Sequence, residues 1–334
     1  MRKLLFIILF AVTILPFIGL QTFNVIQNYR LEKDGAVSGL VGQAFAAAAY
    51  HERYIQDTYE LLEDIARSPA VQSRDKIACR TNLILLQKKS EIYTGFAVAD
   101  TAGNFWCNSI SSEEGVNVAN RLYFERVMSG GSFSVGEYSV GRLTQKEILP
   151  FAFPVSGQDG KIAGVVVAAA DISKINASVN ANINTASLDE LLSQGYVSLL
   201  LDHDGVLLSR LPSNPQYAGI KITETELFEN ISEIIASGVE NGFFEAKDII
   251  DNTQRVYAFT KVSPGTNGLE DIDLYVLVGL PPSSLFASVN TALLKDVGIL
   301  ALFIAISGML YFALFHVASG AVGRRINQPR PPGL

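Results

Sequence analysis

The sequence predicts an α+β fold in which a long N-terminal stalk helix leads into two tandem antiparallel-sheet modules, with a transmembrane helix flanking the whole at each end. Three observations carry this. Two apolar runs free of Asp, Glu, Lys and Arg, Leu4–Leu20 and Val297–Val317, stand near the ends of the 334-residue chain. Between Gln21 and Arg67 there is no proline, and apolar positions recur at helical spacing. Beyond Pro69 the period changes, and one order of strands and helix occurs twice.

Each apolar run has the length to cross, or nearly cross, a hydrocarbon core of ~30 Å at about 1.5 Å per helical residue. Arg2 and Lys3 precede the first and Arg324, Arg325 and Arg330 follow the second, so the positive-inside rule places both ends in the cytoplasm and the middle outside. A cleaved signal peptide begins in the same way, but after Phe17 the chain lacks a small-x-small cleavage pattern. The layout is that of a surface receptor in the cytoplasmic membrane. The expected divisions are a cytoplasmic N-terminus (1–3), a first span (4–23), a stalk (24–68), two modules (69–176 and 177–281), a return helix (282–296), a second span (297–317) and a short cytoplasmic tail (318–334).

Leu40, Ala44, Ala47, Tyr54, Leu61 and Ile65 mark one face of the stalk, which Ser68-Pro69 ends. Its other face is available to a second copy of the chain, so a homodimer through the stalk is expected. Taking the five terminal basic residues from 26 Lys+Arg leaves 21 against 33 Asp+Glu, so the exterior carries a formal −12. That balance argues against nucleic acid and anionic lipid as partners of the exterior portion.

Cys79 and Cys107 both fall on the oxidising side, where a disulfide is the economical reading. A metal pair or two buried thiols are the alternatives, although no His is near enough in sequence to complete a metal site. His51, His203 and His316 each stand alone and are expected to be structural.

In the first module, Tyr93–Ala99 and Phe105–Ser109 flank an Asp100-Thr-Ala-Gly103 turn and form a hairpin. Arg121–Ser129 reads as a short helix, and 132–140, 146–155 and 161–170 as three further strands. In the second module, Tyr196–Leu201 and Val206–Arg210 flank an Asp202-x-x-Gly205 turn, 224–237 is a helix, and 243–249, 255–263 and 274–281 are strands. Residues 177–194 bridge the two.

Asn120-Arg-Leu-Tyr-Phe124, Gly131-Ser-Phe-Ser-Val-Gly-Glu-Tyr138, Pro150-Phe-Ala-Phe-Pro-Val155 and Gly164-Val-Val-Val-Ala-Ala-Ala-Asp171 resemble the double Cache family, tandem PAS-like extracellular sensor domains of bacterial chemoreceptors, histidine kinases and diguanylate cyclases. The resemblance covers about Gln21 to Asn290 and implies that the membrane-distal module binds the ligand and the proximal one relays. One subset of the family binds amino acids, and by that likeness Arg121 grips a carboxylate, Tyr123 and Tyr138 supply aromatic contacts and Asp171 takes an ammonium. The tyrosine found some five residues before the arginine in that subset is Val116 here. Structural roles compete with each assignment. Arg121 would pair with an acid such as Asp171, Tyr123 and Phe124 would belong to the core, and Asp171 would cap a helix beginning near Ser173.

Asp202, Asp204 and Gly205 lack the Glu that a calcium loop needs at its twelfth position, and a tight turn is expected there. No nucleophile elbow, HExxH or phosphate loop occurs, so no enzyme is expected and no cofactor. Arg325-Ile-x-x-Pro329 resembles the opening of a HAMP linker, but the 17 residues after Val317 cannot form an output domain of their own. A truncated receptor is expected, or one acting through a separate cytoplasmic partner. The function expected is small-molecule sensing, with an amino acid, amine or carboxylate as ligand. The alternative is a non-sensing scaffold or protein-docking module.

Overall fold

The computed structural model describes residues 2–110, 115–175, 188–202, 204–212, 217, 219–263 and 274–326. They form two units, residues 37–284 and residues 1–36 with 285–334, which are taken in turn.

The larger unit holds two antiparallel sheets. Its first element is the C-terminal part of α1 (Arg2–Arg67), whose buried positions Leu40, Ala44, Ala47, Tyr54, Ile55, Leu62 and Ile65 follow helical spacing. That face meets the first sheet through a seam of rings. Tyr54 stacks on Tyr93 at 6.1 Å and meets Phe151 edge-on at 5.5 Å, while Tyr59 meets Phe133 and Phe153 at 5.5 and 5.3 Å. Thr58 Oγ1 and Tyr93 Oη share a 2.6 Å hydrogen bond inside the seam. Ser68, extended and followed by Pro69, stops the helix.

Two short helices follow, α2 (Pro69–Gln72) and α3 (Lys76–Lys89), which the periodicity reading did not anticipate. Only Cys79 and Leu83 of α3 are buried, so its apolar signal is thin. Its ends are well marked. Asp75 caps the start, accepting from the amides of Ile77 and Ala78, and Lys88 and Lys89 occupy the last turn, where the helix dipole favours cations. A disulfide joins Cys79 of α3 to Cys107, with Cα atoms 6.4 Å apart.

The first sheet contains β1 (Tyr93–Ala99), β2 (Phe105–Asn108), β3 (Ser134–Val135), β4 (Ser139–Val140), β5 (Glu147–Ser156) and β6 (Ile162–Asp171), in the order β2-β1-β6-β5-β3 with β4 also on β5. Helix α4 (Leu122–Gly130) lies between β2 and β3 in the chain and ends on left-handed Gly131. The single strand expected at 132–140 is broken into β3 and β4. Val135 pairs with Phe151 but Ser139 with Ile148, so the register slips by one residue across Gly136–Tyr138. The cause lies opposite. Pro150 accepts from the Gly136 amide at 2.8 Å but has no N–H to return, which interrupts the ladder.

The second sheet contains β7 (Val197–Asp202), β8 (Leu207–Leu211), β9 (Asn241–Lys247), β10 (Gln254–Val262) and β11 (Leu274–Leu280), in the order β8-β7-β11-β10-β9. This repeats the order of the first sheet, with β3 and β4 together taking the place of β9. The opening hairpins are alike in chemistry. Asp100 Oδ1 accepts from the Ala102 and Asn104 amides and Asp202 Oδ1 from the Val206 amide, and Gly103 and Gly205 supply the positive φ of each turn. Helix α5 (Leu188–Ser193) precedes the sheet; most of the expected bridge, residues 177–187, lies outside the described residues. Helix α6 (Glu226–Ala236), capped by Thr225, buries Leu227 and Ile231 against Val197, Leu199, Tyr257 and Phe259.

Beside this core is a buried ion cluster. Asp248, with a fully buried side chain, accepts from Arg210 Nη2 at 3.2 Å and Tyr257 Oη at 2.8 Å and lies 3.3 Å from Arg255 Nη1. Arg255 also forks onto Asp251 at 2.7 and 2.6 Å, which holds that carboxyl well below the usual carboxylate range.

The smaller unit holds the N-terminal part of α1 and, after the short α7 (Pro282–Leu285), the 40-residue α8 (Ala287–Ile326). Phe17 and Phe303 pack with centroids 4.4 Å apart. The expected return helix and second span are thus largely one continuous helix. Within it, Ala287–Ala313 is the one stretch among the described residues long and apolar enough to cross a membrane; its most apolar part has mean hydropathy 2.0 and is unburied, whereas Val289 near its start is buried. The first apolar run is helical as part of α1, but the side chains of residues 2–11 and 13 lie outside the described residues.

Two outcomes follow from the staple and the ion cluster. Cys79 and Cys107, 28 positions apart, should resist alkylation until reductant is added, and replacing both with Ala should cost about 3–4 kcal/mol in denaturant unfolding. Asp248→Ala should cost about 3–5 kcal/mol in the same assay, since it leaves two buried guanidinium groups without their shared carboxylate.

Candidate functional site

With one face of the first sheet closed by α1, its other face carries α4 and a cavity. Gly95 and Ala97 of β1 and Val167 and Ala169 of β6 line its floor, and the small side chains there leave space above the strands. With the open mouth left out, the cavity volume is about 50 Å³, below the ~300–1,000 Å³ of drug-sized sites. Val118, Arg121 and Tyr123 from the start of α4, and Ser139 to Thr144 apart from Val140, form the walls.

Arg121 is the residue before the first turn of α4. Its backbone is extended and its carbonyl accepts from Phe124 and Glu125, which leaves the side chain free of any capping role. The guanidinium donates through Nη2 to the Val140 carbonyl at 3.2 Å, so it bridges the helix start to β4 across the cavity wall. Two positions on, Tyr123 is buried, and burial pushes its hydroxyl up to about 12 although Arg121 and Arg142 oppose the shift. The phenol therefore stays neutral and able to donate. The Gly136 backbone packs closely here, since a Cβ would fall 2.7 Å from Pro150 Cγ and 3.0 Å from Tyr123 Cβ.

Tyr138 and Asp171 do not line the cavity. Tyr138 is half-buried, and burial followed by the nearby Glu147 carboxylate raises its pKa. Its ring lies on Gly219 in the second half of the unit, where φ is +77° and a Cβ would fall 2.5 Å from the ring. Ser139, its neighbour, does line the cavity. Asp171 closes β6 as expected. Oδ1 accepts from the Ser173 amide at 3.1 Å and Oγ at 2.6 Å, in the manner of a cap, and Oδ2 lies 3.6 Å from Lys146 Nζ. Strand alternation sets Asp171 on the same face as Val167 and Ala169, one step beyond the floor. Among the described residues Asp171 has its ion pair with Lys146 and not with Arg121.

The residue that sequence reading missed is Arg142. It lines the same cavity, and its guanidinium donates to the Asn117 carbonyl and, at 2.9 Å, to Asn120 Oδ1. It sits in the Gly141–Gln145 turn, where Gln145 has φ +53°. A lone basic residue in a turn has no periodicity to betray it, and its closeness to Arg121 exists only in the fold.

The arrangement is suited to holding a small molecule by an acidic group against an apolar floor. Comparison with known proteins agrees at the level of fold. Residues 36–289 match the family model described as the Cache domain. No curated protein matches the chain. Similar solved structures include the extracellular domain of the putative histidine kinase rpHK1S-Z16, at 18% identity and TM-score 0.57 over 75% of this chain and 95% of that one. Another is the ligand-binding domain of the Pseudomonas fluorescens chemoreceptor CtaA in complex with L-isoleucine, at 15% and 0.58 over 78% and 98%. A third is the ligand-binding domain of the Pseudomonas aeruginosa PAO1 amino acid chemoreceptor PctB in complex with L-arginine, at 17% and 0.54 over 73% and 94%. Two sheets of one strand order, a long leading helix and a family match spanning both sheets lead to one conclusion: the chain belongs to the double Cache family of ligand-sensing domains.

Proposed function

We propose that this protein is a membrane-anchored sensor that binds a small extracytoplasmic molecule in the cavity of its first half and reports it as a shift in conformational population. The observation that carries the reading is the cavity, which has an apolar floor and Arg121 and Tyr123 in its wall. The complexes of CtaA and PctB with amino acids support a ligand of similar size.

In this reading a ligand carboxylate replaces the Val140 carbonyl on Arg121 and takes two charge-assisted hydrogen bonds where the empty site has one neutral acceptor. Tyr123 contributes its ring and a neutral hydroxyl. Asp171 becomes an ammonium site only by giving up Lys146 or Ser173, so an amino group has to outcompete partners already in place. Tyr138 serves transmission. Exchanging Val140 for ligand on Arg121 shifts a segment whose neighbouring ring bears on Gly219, so occupancy of the first half is felt in the second. The proposal is completed by modules at 69–176 and 177–281, two membrane passes with 24–296 outside, and a homodimer formed along the stalk.

A thermal-shift screen of the full-length protein in detergent, against amino acids, amines and short carboxylates, tests this. A ligand present at about 100 times its Kd should stabilise the fold by about 2.7 kcal/mol. Arg121→Ala should abolish the shift. Silence across the panel, or a shift that Arg121→Ala leaves intact, contradicts the reading.

A further inference from the structure

Two guanidinium groups, Arg121 and Arg142, line one cavity, and the described residues lining it include no carboxylate. Among the described residues neither arginine has an ion-pair partner. Arg121 donates to one backbone carbonyl, and Arg142 donates to one carbonyl and one side-chain amide oxygen. A guanidinium has five N–H donors, so both retain several for a ligand. Both also oppose the rise in the Tyr123 pKa, and all three residues line the same cavity. The one acid on this face of the sheet, Asp171, is engaged by Lys146 and Ser173.

Arg121 is half-buried and Arg142 exposed, so water screens the two like charges in part and a modest repulsion remains between them beside the apolar floor. A monocarboxylate neutralises one and leaves the other without a counter-charge. A ligand with two acidic groups neutralises both, and each guanidinium–carboxylate contact adds a charge-assisted pair. Resting on the sensor reading above, we propose that the ligand is a small dicarboxylate and that Arg142 is the specificity-determining residue that reads its second carboxylate. The chemistry is shared by plain diacids and by acidic amino acids, which differ in whether an ammonium must also be met at Asp171.

Calorimetric titration of the full-length protein in detergent separates these. The probes are succinate and glutarate, L-aspartate and L-glutamate, and as controls propionate, butyrate, L-alanine and L-valine. The better pair of diacids should bind at least ~10-fold more tightly than every control, about 1.4 kcal/mol or more. Tighter binding by succinate and glutarate means that Asp171 keeps its partners, whereas tighter binding by the acidic amino acids means that it releases them. Both results support the dicarboxylate. Arg142→Ala should bring the diacids down to the level of the controls while leaving the controls within about twofold, and Arg142→Lys should retain part of the preference. Because Arg142 also holds Asn117 and Asn120, the wild-type ranking stands as a test independent of any variant. Controls that bind as tightly as diacids, or a diacid preference that survives Arg142→Ala in a folded protein, overturn this proposal alone. Binding by no member of the panel overturns the sensor reading and this proposal together.

Discussion

The seam of aromatic rings between α1 and the first sheet is the constraint from which the rest of the larger unit follows. Tyr54, Tyr59, Tyr93, Phe133, Phe151 and Phe153 meet edge-on or stacked, and the Thr58–Tyr93 hydrogen bond satisfies two buried hydroxyls of the seam while Tyr54 Oη is buried without a partner among the described residues. Helix α3, held to β2 by the Cys79–Cys107 disulfide, shares that face with α1, and α4 stands on the other. The face away from α1 receives α4 and the cavity, so the site rests on a sheet whose back is already fixed.

The two halves share a strand order but not a filling. In the second, Val197, Leu199 and Leu201 of β7 and Leu277 of β11 meet Tyr257 and Phe259 beneath α6, and large side chains occupy the space between helix and sheet. In the first, the cavity floor is Gly95, Ala97 and Ala169 with Val167, and the missing volume is the cavity. Pro150 widens the difference by breaking the ladder, which lets the chain from Gly136 turn so that Tyr138 reaches the second half while Ser139 stays at the cavity wall. The second half spends its buried charge internally, in the cluster around Asp248. The first leaves two guanidinium groups facing a space.

Much of this fold was legible in the sequence because its signals are local. Each hairpin announces itself by an Asp-x-x-Gly turn whose carboxylate caps the turn amides, and helices α4 and α6 declare themselves through their apolar faces. The cysteines were readable as a pair from their compartment alone, and the structure joins them. Helix α3 escaped because only two of its residues face the core, although Asp75 and the closing lysines marked its ends. The break at Gly136–Tyr138 depends on a proline in a different strand, and strand propensity cannot register that. Of the candidate site, Arg121 and Tyr123 were found through family resemblance and share the cavity. Arg142 carried no signal of its own, and Asp171 and Tyr138 reveal their present partners only in three dimensions.

The central claim is that ligand binds between α4 and the broken third strand, and amide hydrogen exchange localises that most directly. With the acid from the panel that binds, amides of Leu122–Phe124 and of Gly136–Gly141 should exchange more slowly than in the free protein, while those of β7 and β11, already deep in their sheet, stay unchanged. Protection confined to the second half, or absent from both segments around Arg121, would contradict the account.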